Sequence, residues 1–336
     1  MFADVIYWIF CLGLGLGLGL VVVRGEDHFN ISTVEVVWSP PDCGDISLII
    51  LIHSHPAHLS LRKTLRETWA RQVSQGQFKT RTVFVIGQVQ QEDLSRRLEE
   101  ERRTYSDLVA GHFVDSYRNL TYKHLLGYRW VTEHCEGADF VLKSDDDQFV
   151  DTFQLPRYLQ TFLPPPSQAW FLCNILQRAP IRSEDSKWFV SQSEWPESAY
   201  PPYCAGWAYV TTLPTVSRVL AWAGQHQYFW IDDLHVTGFL PARHGGLPMF
   251  NWVYSFLTTH VQYNQQILEG SFYTPELMVC GDISSDQILH VYSKAEKCER
   301  RQCSDIVYTD HDNRAAIKPR LAVQSQGQDF EPREEL

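Results

Sequence analysis

The sequence predicts an α/β fold with a doubly wound, largely parallel sheet, and three observations predict it. Apolar runs suited to buried strands alternate with stretches of helical period. One such run, Phe140-Val141-Leu142-Lys143-Ser144, ends in three consecutive carboxylates, Asp145, Asp146 and Asp147. Ligands of such sheets bind outside the carboxyl ends of the strands, and this triplet stands at one of those ends.

The elements follow in order. Residues 47–52 are a continuous apolar strand of the kind covered on both faces. Leu59 to Val73 reads as a helix, with Leu61, Leu65 and Trp69 at four-residue spacing and Arg62 and Arg66 one turn apart on a neighbouring face. Thr82 to Gly87 is the second strand and Gln91 to Tyr105 a charged helix. Gly111 to Asp115 is a third strand, Asn119 to His134 a helix, and Phe140 to Lys143 the next strand. Beyond Asp151 the pattern changes: Pro164-Pro165-Pro166 breaks the chain, and Lys187 to Val210 is rich in Trp, Tyr and Pro. A helix around Val216 to Trp222 precedes Trp230-Ile231-Asp232-Asp233-Leu234-His235, a second carboxylate pair in an apolar frame.

Composition narrows the function. A net charge of −11 argues against nucleic acid as a partner, because phosphate backbones select basic faces. Neither a Gly-x-Gly-x-x-Gly nor a P-loop pattern occurs, which disfavours a dehydrogenase or an ATPase. Aromatic residues make up 13%, with 11 Trp and 15 Tyr, and flat rings suit the C–H faces of sugars. Three adjacent negative charges repel, so a fold keeps them together when a hard divalent cation neutralises them; that cation would also hold a diphosphate.

The ends indicate compartment. Val5 to Val23 is an uncharged apolar run just long enough to span a bilayer, read here as a signal-anchor with a cleaved signal peptide as the alternative. Residues 1–4 then form a short N-terminal tail, 24–45 a stem, 46–303 the luminal domain and 304–336 a polar C-terminal tail. Asn30 and Asn119 open sequons. Seven cysteines lie beyond the apolar run, which suits disulfides in an oxidising compartment and leaves their connectivity open. The final Arg333-Glu334-Glu335-Leu336 approximates an endoplasmic-reticulum retrieval signal, against the Golgi location that the anchor suggests.

A series of blocks then appears in order: Arg62 to Trp69, Phe84 to Gly87, Phe113 to Lys123, Lys143 to Val150, Tyr200 to Val210 and Asp232 to Gly238. Together they resemble the family of β-1,3-galactosyltransferases and β-1,3-N-acetylglucosaminyltransferases, over about Ser47 to His290. The resemblance implies a GT-A fold, with a Rossmann-like nucleotide-binding half (46–150) and a mixed acceptor-binding half (151–303). It implies UDP-sugar donors, Mn²⁺ and inversion at the anomeric carbon. On it, Asp147 is a direct metal ligand, Asp145 a ligand or a neighbour of the ribose, and Asp146 a member of the same nucleotide site. His290 would supply the third protein ligand, with His244 and His260 as alternatives.

Asp233 would be the base, its carboxylate pKa raised by apolar surroundings. Asp232 stands where the family usually has Glu, and Thr237 and Trp207 also depart from the pattern. Arg62, Arg66 and Lys123 are the candidate cations near the nucleotide, Asp115 faces uracil or ribose, and Ser54 meets the base. The expected activity moves a hexose, galactose first, to a glycan on a glycoprotein, proteoglycan or glycolipid in the Golgi. N-acetylglucosamine or N-acetylgalactosamine transfer, or a luminal glycan-binding relative without turnover, are the alternatives.

Overall fold

The computed structural model describes residues 31, 34–73, 76–251, 256–257, 279–300 and 320–321. Among the described residues the elements run from strand β1 (Val36–Trp38) through β2 (Leu48–His53), helix α1 (Leu59–Glu67), β3 (Thr80–Gln88), α2 (Glu92–Tyr105), β4 (Leu108–Val114), α3 (Leu120–His134) and β5 (Phe140–Asp145). They continue through β6 (Phe149–Val150), α4 (Leu155–Phe162), β7 (Phe171–Leu176), β8 (Tyr203–Thr212), α5 (Leu213–Ala223), α6 (Leu240–Arg243) and β9 (Met249–Asn251). Strands β10 (Phe256–Leu257) and β11 (Val279–Cys280), a helix at Ser285–Arg300 and strand β12 (Arg320–Leu321) follow.

The main sheet has the order β1-β4-β3-β2-β5-β8-β7-β9-β12. Strands β4, β3, β2 and β5 pair in parallel, and β5 then pairs antiparallel with β8. A parallel nucleotide-type half thus joins a mixed half at β5, the α/β arrangement expected of GT-A. All six residues of β2 are buried. Alternate side chains feed two cores: Leu48, Ile50 and Ile52 pack on one face, and Ile49 and Leu51 on the other. Strand β5 lies at the change from parallel to antiparallel pairing, so its carboxyl end opens where ligands of such sheets bind.

Several boundaries differ from the sequence reading. Helix α1 ends at Glu67 rather than Val73, because Thr68 leaves helical geometry while its hydroxyl turns back to the Thr64 carbonyl at 2.8 Å. That exit buries Trp69, whose indole N–H donates to the Gln148 carbonyl at 2.8 Å. Strand β4 starts at Leu108 instead of Gly111. The expected stem is partly built into the domain: β1 pairs antiparallel with β4, and a Cys43–Cys135 disulfide ties it to the end of α3. A second disulfide, Cys173–Cys204, joins β7 to β8, and Cys280 is a buried free thiol. Within the expected tail, β12 pairs with β9.

The apolar run Val5 to Val23, Asn30 and His260 lie outside the described residues. Among the described residues no helix is long and apolar enough to cross a membrane.

Candidate active site

The acidic turn after β5 is held from several sides. Asp146 Oδ2 accepts from the Ser54 hydroxyl at 2.6 Å, the His55 N–H at 3.2 Å and His58 Nδ1 at 2.9 Å. Asp146 is buried, so it braces the turn against the end of β2 and raises the His58 pKa through their hydrogen bond. Asp145 is the more open acid: its side chain is 38% exposed and Oδ1 accepts from Lys143 Nζ at 2.7 Å. Loss of solvation raises its pKa to about 7, assisted by the charge of Asp147 and opposed by Lys143.

Asp147 Oδ1 accepts from the Gln148 amide at 2.6 Å, while its backbone carbonyl accepts from Ile283 N–H at 3.0 Å. Its pKa is raised by desolvation and by the charges of Asp146 and Asp282. Among the described residues Gln148 Oε1 has no hydrogen-bond partner, and a Cβ on Gly281 would stand 2.4 Å from it. Glycine at 281 therefore allows the segment before the last helix to close over the acidic turn. Oxygen donors crowded by like charge, with carboxyl pKa values pushed upward, fit a hard divalent cation such as Mn²⁺. Asp145 and Asp147 would hold it.

The expected third ligand is not brought into that cluster. His290 is exposed on the Ser285–Arg300 helix. His244 stacks on Trp222 at a ring separation of 4.8 Å, and its Nε2 meets His226 Nε2 at 2.9 Å. Among the described residues, the one set of three or more His, Cys, Asp or Glu side chains grouped closely enough for an ion is His53, His124 and Asp232. These are buried, and Lys143 and Lys123 press on His53 with like charge, lowering its pKa after burial has done most of the work. This is the wiring of a polar core rather than a second cation site.

The candidate nucleotide cations are each engaged within the protein. Arg62 is fully buried, and all its N–H donors are used: Glu101 Oε1 at 2.9 Å and Oε2 at 2.7 Å, Ser54 Oγ at 2.8 Å, and the carbonyls of His55 at 2.7 Å and Pro56 at 3.0 Å. Arg66 pairs with Asp107 and with Glu101, each at 2.7 Å, and lies over the Tyr105 ring. Lys123 Nζ is buried between the Ser54 carbonyl at 2.8 Å and Asp115 Oδ1 at 2.9 Å. Asp115 Oδ2 accepts from Gly87 N–H at 2.7 Å, so both its oxygens are engaged. These charges pin the ends of β2, β3 and β4 together, desolvated and already paired with carboxylates and carbonyls of the protein.

The second carboxylate pair packs against β8 beside Gly206. Asp232 is buried and takes His124 Nδ1 on Oδ2 at 2.8 Å; His124 Nε2 meets Tyr209 Oη, which meets Tyr128 Oη at 2.6 Å. Burial would raise the Asp232 pKa, but His124 and Lys143 outweigh it and keep the group ionised. Asp233, half-buried, is raised by desolvation and by the adjacent Asp232 charge. Its Oδ1 accepts from Leu234 N–H at 2.8 Å, and a Cβ on Gly206 would stand 3.1 Å from Oδ2. The turn that follows, Leu234–Phe239, is a π-helix, a form frequent at functional sites. Thr237 Oγ1 donates to the Asp233 carbonyl at 2.6 Å and accepts from Cys204 N–H at 2.9 Å, fastening the pair to β8. Lys143 donates to the Gly206 carbonyl as well as to Asp145, so a single buried ammonium links the two acidic groups.

Sequence reasoning did not find His53, His124, Tyr209 or Lys143 as part of this network. Lys143 was legible, because a lysine inside an apolar strand needs a carboxylate partner.

The sequence profile of the galactosyltransferase family matches residues 60–245, more than half of the chain. The chain belongs to the galactosyltransferase family. The matched region of this galactosyltransferase-family chain includes the acidic turn and Asp233 and ends before the last helix. Mouse beta-1,3-galactosyltransferase 1 is 29% identical over 214 residues, covering 62% of this chain and 66% of that protein. Human UDP-GalNAc:beta-1,3-N-acetylgalactosaminyltransferase 1 is 33% identical over 193 residues, covering 56% of this chain and 58% of that protein. The chain thus spans slightly less than two thirds of the curated relatives it matches. Among solved structures, galactosyltransferase LgtC with donor and acceptor sugar analogs is similar at a TM-score of 0.38 and 11% identity, over 80% of this chain and 99% of that one. The bifunctional glycosyltransferase WbbM is similar at a TM-score of 0.40 and 10% identity, over 79% of this chain and 53% of that one.

Proposed function

We propose that this chain is an inverting β-1,3-glycosyltransferase that moves a hexose, galactose first, from a UDP-sugar to a hydroxyl of a glycan. The observation that carries the reading is Asp233. It is a half-buried carboxylate whose pKa is raised by burial and by Asp232, packed against Gly206 of β8 and within electrostatic reach of the strand-end acid Asp145. A carboxylate poised nearer neutrality accepts a proton more readily than an ordinary one, as a general base requires. The relatives' printed activities, β-1,3 transfer of galactose and of N-acetylgalactosamine, support the linkage and leave both donors open.

In this reading Asp145 and Asp147 would hold Mn²⁺ at the end of β5. When bound, the ion supplies Lewis-acid stabilisation of the departing diphosphate. Asp146 keeps the turn in place through Ser54, His55 and His58. Asp233 takes the proton of the acceptor hydroxyl as that oxygen attacks the anomeric carbon from the face opposite UDP. Asp232, held ionised by His124, keeps Asp233 basic. Thr237 and Gly206 set the carboxylate's position.

The two disulfides agree with an oxidising compartment. We place the chain in the Golgi lumen, held by Val5 to Val23, with the endoplasmic reticulum as the alternative. The test is transfer by the purified protein from UDP-galactose, UDP-N-acetylgalactosamine or UDP-N-acetylglucosamine to simple glycosides with MnCl₂, alongside Asp233→Asn. Transfer that the variant loses while retaining UDP binding supports the proposal; transfer undiminished in the variant refutes the assigned base. A wild type that binds UDP without transfer points to the glycan-binding alternative.

A further inference from the structure

We infer that Tyr117, Trp188 and Trp230 form a stacking platform for a ring of the acceptor saccharide, beside Asp233. This rests on the transferase reading above and gives that site its acceptor subsite. The three rings touch: Tyr117 meets Trp188 edge-on at 4.9 Å and Trp230 at 6.1 Å, and Trp188 lies nearly parallel to Trp230 at 6.4 Å and 18°. Core tryptophans of this domain, such as Trp69, Trp130 and Trp170, are 1% exposed, whereas Trp188 keeps 38% and Tyr117 40% of their surface in solvent. Trp230 is the buried base of the group, with 4% exposed.

The platform is built rather than incidental. Trp188 lies in the connection between β7 and β8, which folds around a single guanidinium. Arg182 donates to the carbonyls of Val190 at 2.8 Å, Ser191 at 2.7 Å, Trp195 at 2.6 Å and Glu197 at 3.2 Å. An ion pair between Arg118 and Glu194 at 3.0 Å docks this connection onto the turn that carries Tyr117. The same Arg118 guanidinium covers the Trp230 ring at 4.1 Å. Rings held this way lose little freedom on binding, which favours a ligand of modest contact area.

Placement decides the occupant. Trp230 lies three residues before Asp233 on one short segment. Tyr117 meets Trp230 at 6.1 Å, and burial together with the charges of Asp232, Asp233 and Asp145 raises its pKa, so the phenol lies within electrostatic reach of those carboxylates. The UDP-sugar belongs with the acids at the end of β5, which leaves the Asp233 side to the incoming alcohol. A pyranose ring presents an apolar C–H face suited to stacking, with hydroxyls around its edge. Lys187 Nζ stands over the Trp188 ring at 5.3 Å and over the Tyr117 ring at 5.9 Å, a donor for hydroxyls of a sugar seated there.

The test compares Trp188→Ala and Trp188→Phe in the full chain, using the methyl β-glycosides of galactose and N-acetylglucosamine and free N-acetyllactosamine as acceptors. For the acceptor the wild type uses, Trp188→Ala raises the acceptor KM by about tenfold, the loss of one good aromatic contact, and Trp188→Phe recovers most of it. Donor KM and UDP affinity measured with MnCl₂ stay unchanged, which separates this role from a fold defect. An unchanged acceptor KM, or a parallel loss of UDP affinity, overturns the inference. Should the wild type transfer to none of these sugars, the transferase reading is what fails. The platform is then read by saturation-transfer NMR of the same glycosides on the UDP-loaded chain. Signal lost in Trp188→Ala sustains it, and no signal from the wild type overturns it.

Discussion

Gly206 and Asp233 fit so closely that a Cβ at position 206 would lie 3.1 Å from Asp233 Oδ2 and 3.3 Å from its Cβ. Position 207 carries a bulky tryptophan, while position 206, where the carboxylate approaches β8, is glycine. Gly206→Ala therefore displaces the carboxylate by a few tenths of an ångström without touching the β5 turn. We expect kcat to fall by about ten- to a hundredfold, since even a 1 Å misplacement of a reacting group costs on the order of a hundredfold. UDP affinity stays constant. Steady-state kinetics with calorimetric UDP titration checks both.

Asp232 and Asp233 are neighbours in opposite electrostatic states, one held ionised by His124 and Lys143 and the other raised. Asp233→Asn should cost about 10²- to 10⁴-fold in kcat, the usual contribution of a general base. Asp232→Asn removes the negative charge that keeps Asp233 protonated, so the Asp233 pKa falls. The acid limb of kcat/KM then moves to lower pH, while His53, His124, Lys143, Asp145, Tyr117, Tyr203, Tyr209 and Tyr228 remain around the pair. A limb that stayed in place or moved upward would contradict the assignment. The pH profile of the variant is the measurement.

How much of this was legible in the sequence depends on which force set each feature. The strands were, because six buried residues in β2 read as one apolar run. The acidic triplet and Asp233 were also readable, since clustered carboxylates in apolar frames are costly and so informative. The roles of Arg62, Arg66 and Lys123 were not. A helical arginine looks solvated, and only the packing of α2 against α1, which brings Glu101 to both guanidiniums, makes it structural. His124 was equally silent, because its partner Asp232 lies 108 residues away. The β1 edge strand was hidden by a polar, proline-containing stretch whose anchoring disulfide spans 92 residues.

Asp147 carries the stability cost of the acidic turn. Its folded-state pKa is raised, so the cost is absent below its unfolded value of about 3.9, grows as pH rises, and is complete above the folded pKa. Asp147→Asn keeps the oxygen that accepts from Gln148 and removes the charge facing Asp146 and Asp282. At about pH 7.5 the metal-free variant should melt higher than the wild type, a gain that disappears near pH 4. MnCl₂ should raise the wild-type Tm by ligand linkage and leave the variant unmoved. Thermal melts with and without MnCl₂ at the two pH values test both halves, and an equal Mn²⁺ response in the two proteins would remove Asp147 as a ligand.

Arg62 tests whether the cations beside the acidic turn are structural. Its guanidinium is fully buried and bonded to Glu101, Ser54 and two backbone carbonyls. Arg62→Met fills the space but leaves the Glu101 carboxylate without one of its two guanidinium partners. Breaking a buried pair in this way costs about 3–5 kcal/mol. Arg66 remains on Glu101 at 2.7 Å and moderates the loss toward the lower figure. The double variant Arg62→Met with Glu101→Gln removes the stranded charge and should recover part of the stability. Denaturant unfolding of the single and double variants measures that recovery. A single variant of unchanged stability that had lost UDP affinity would instead return Arg62 to the nucleotide.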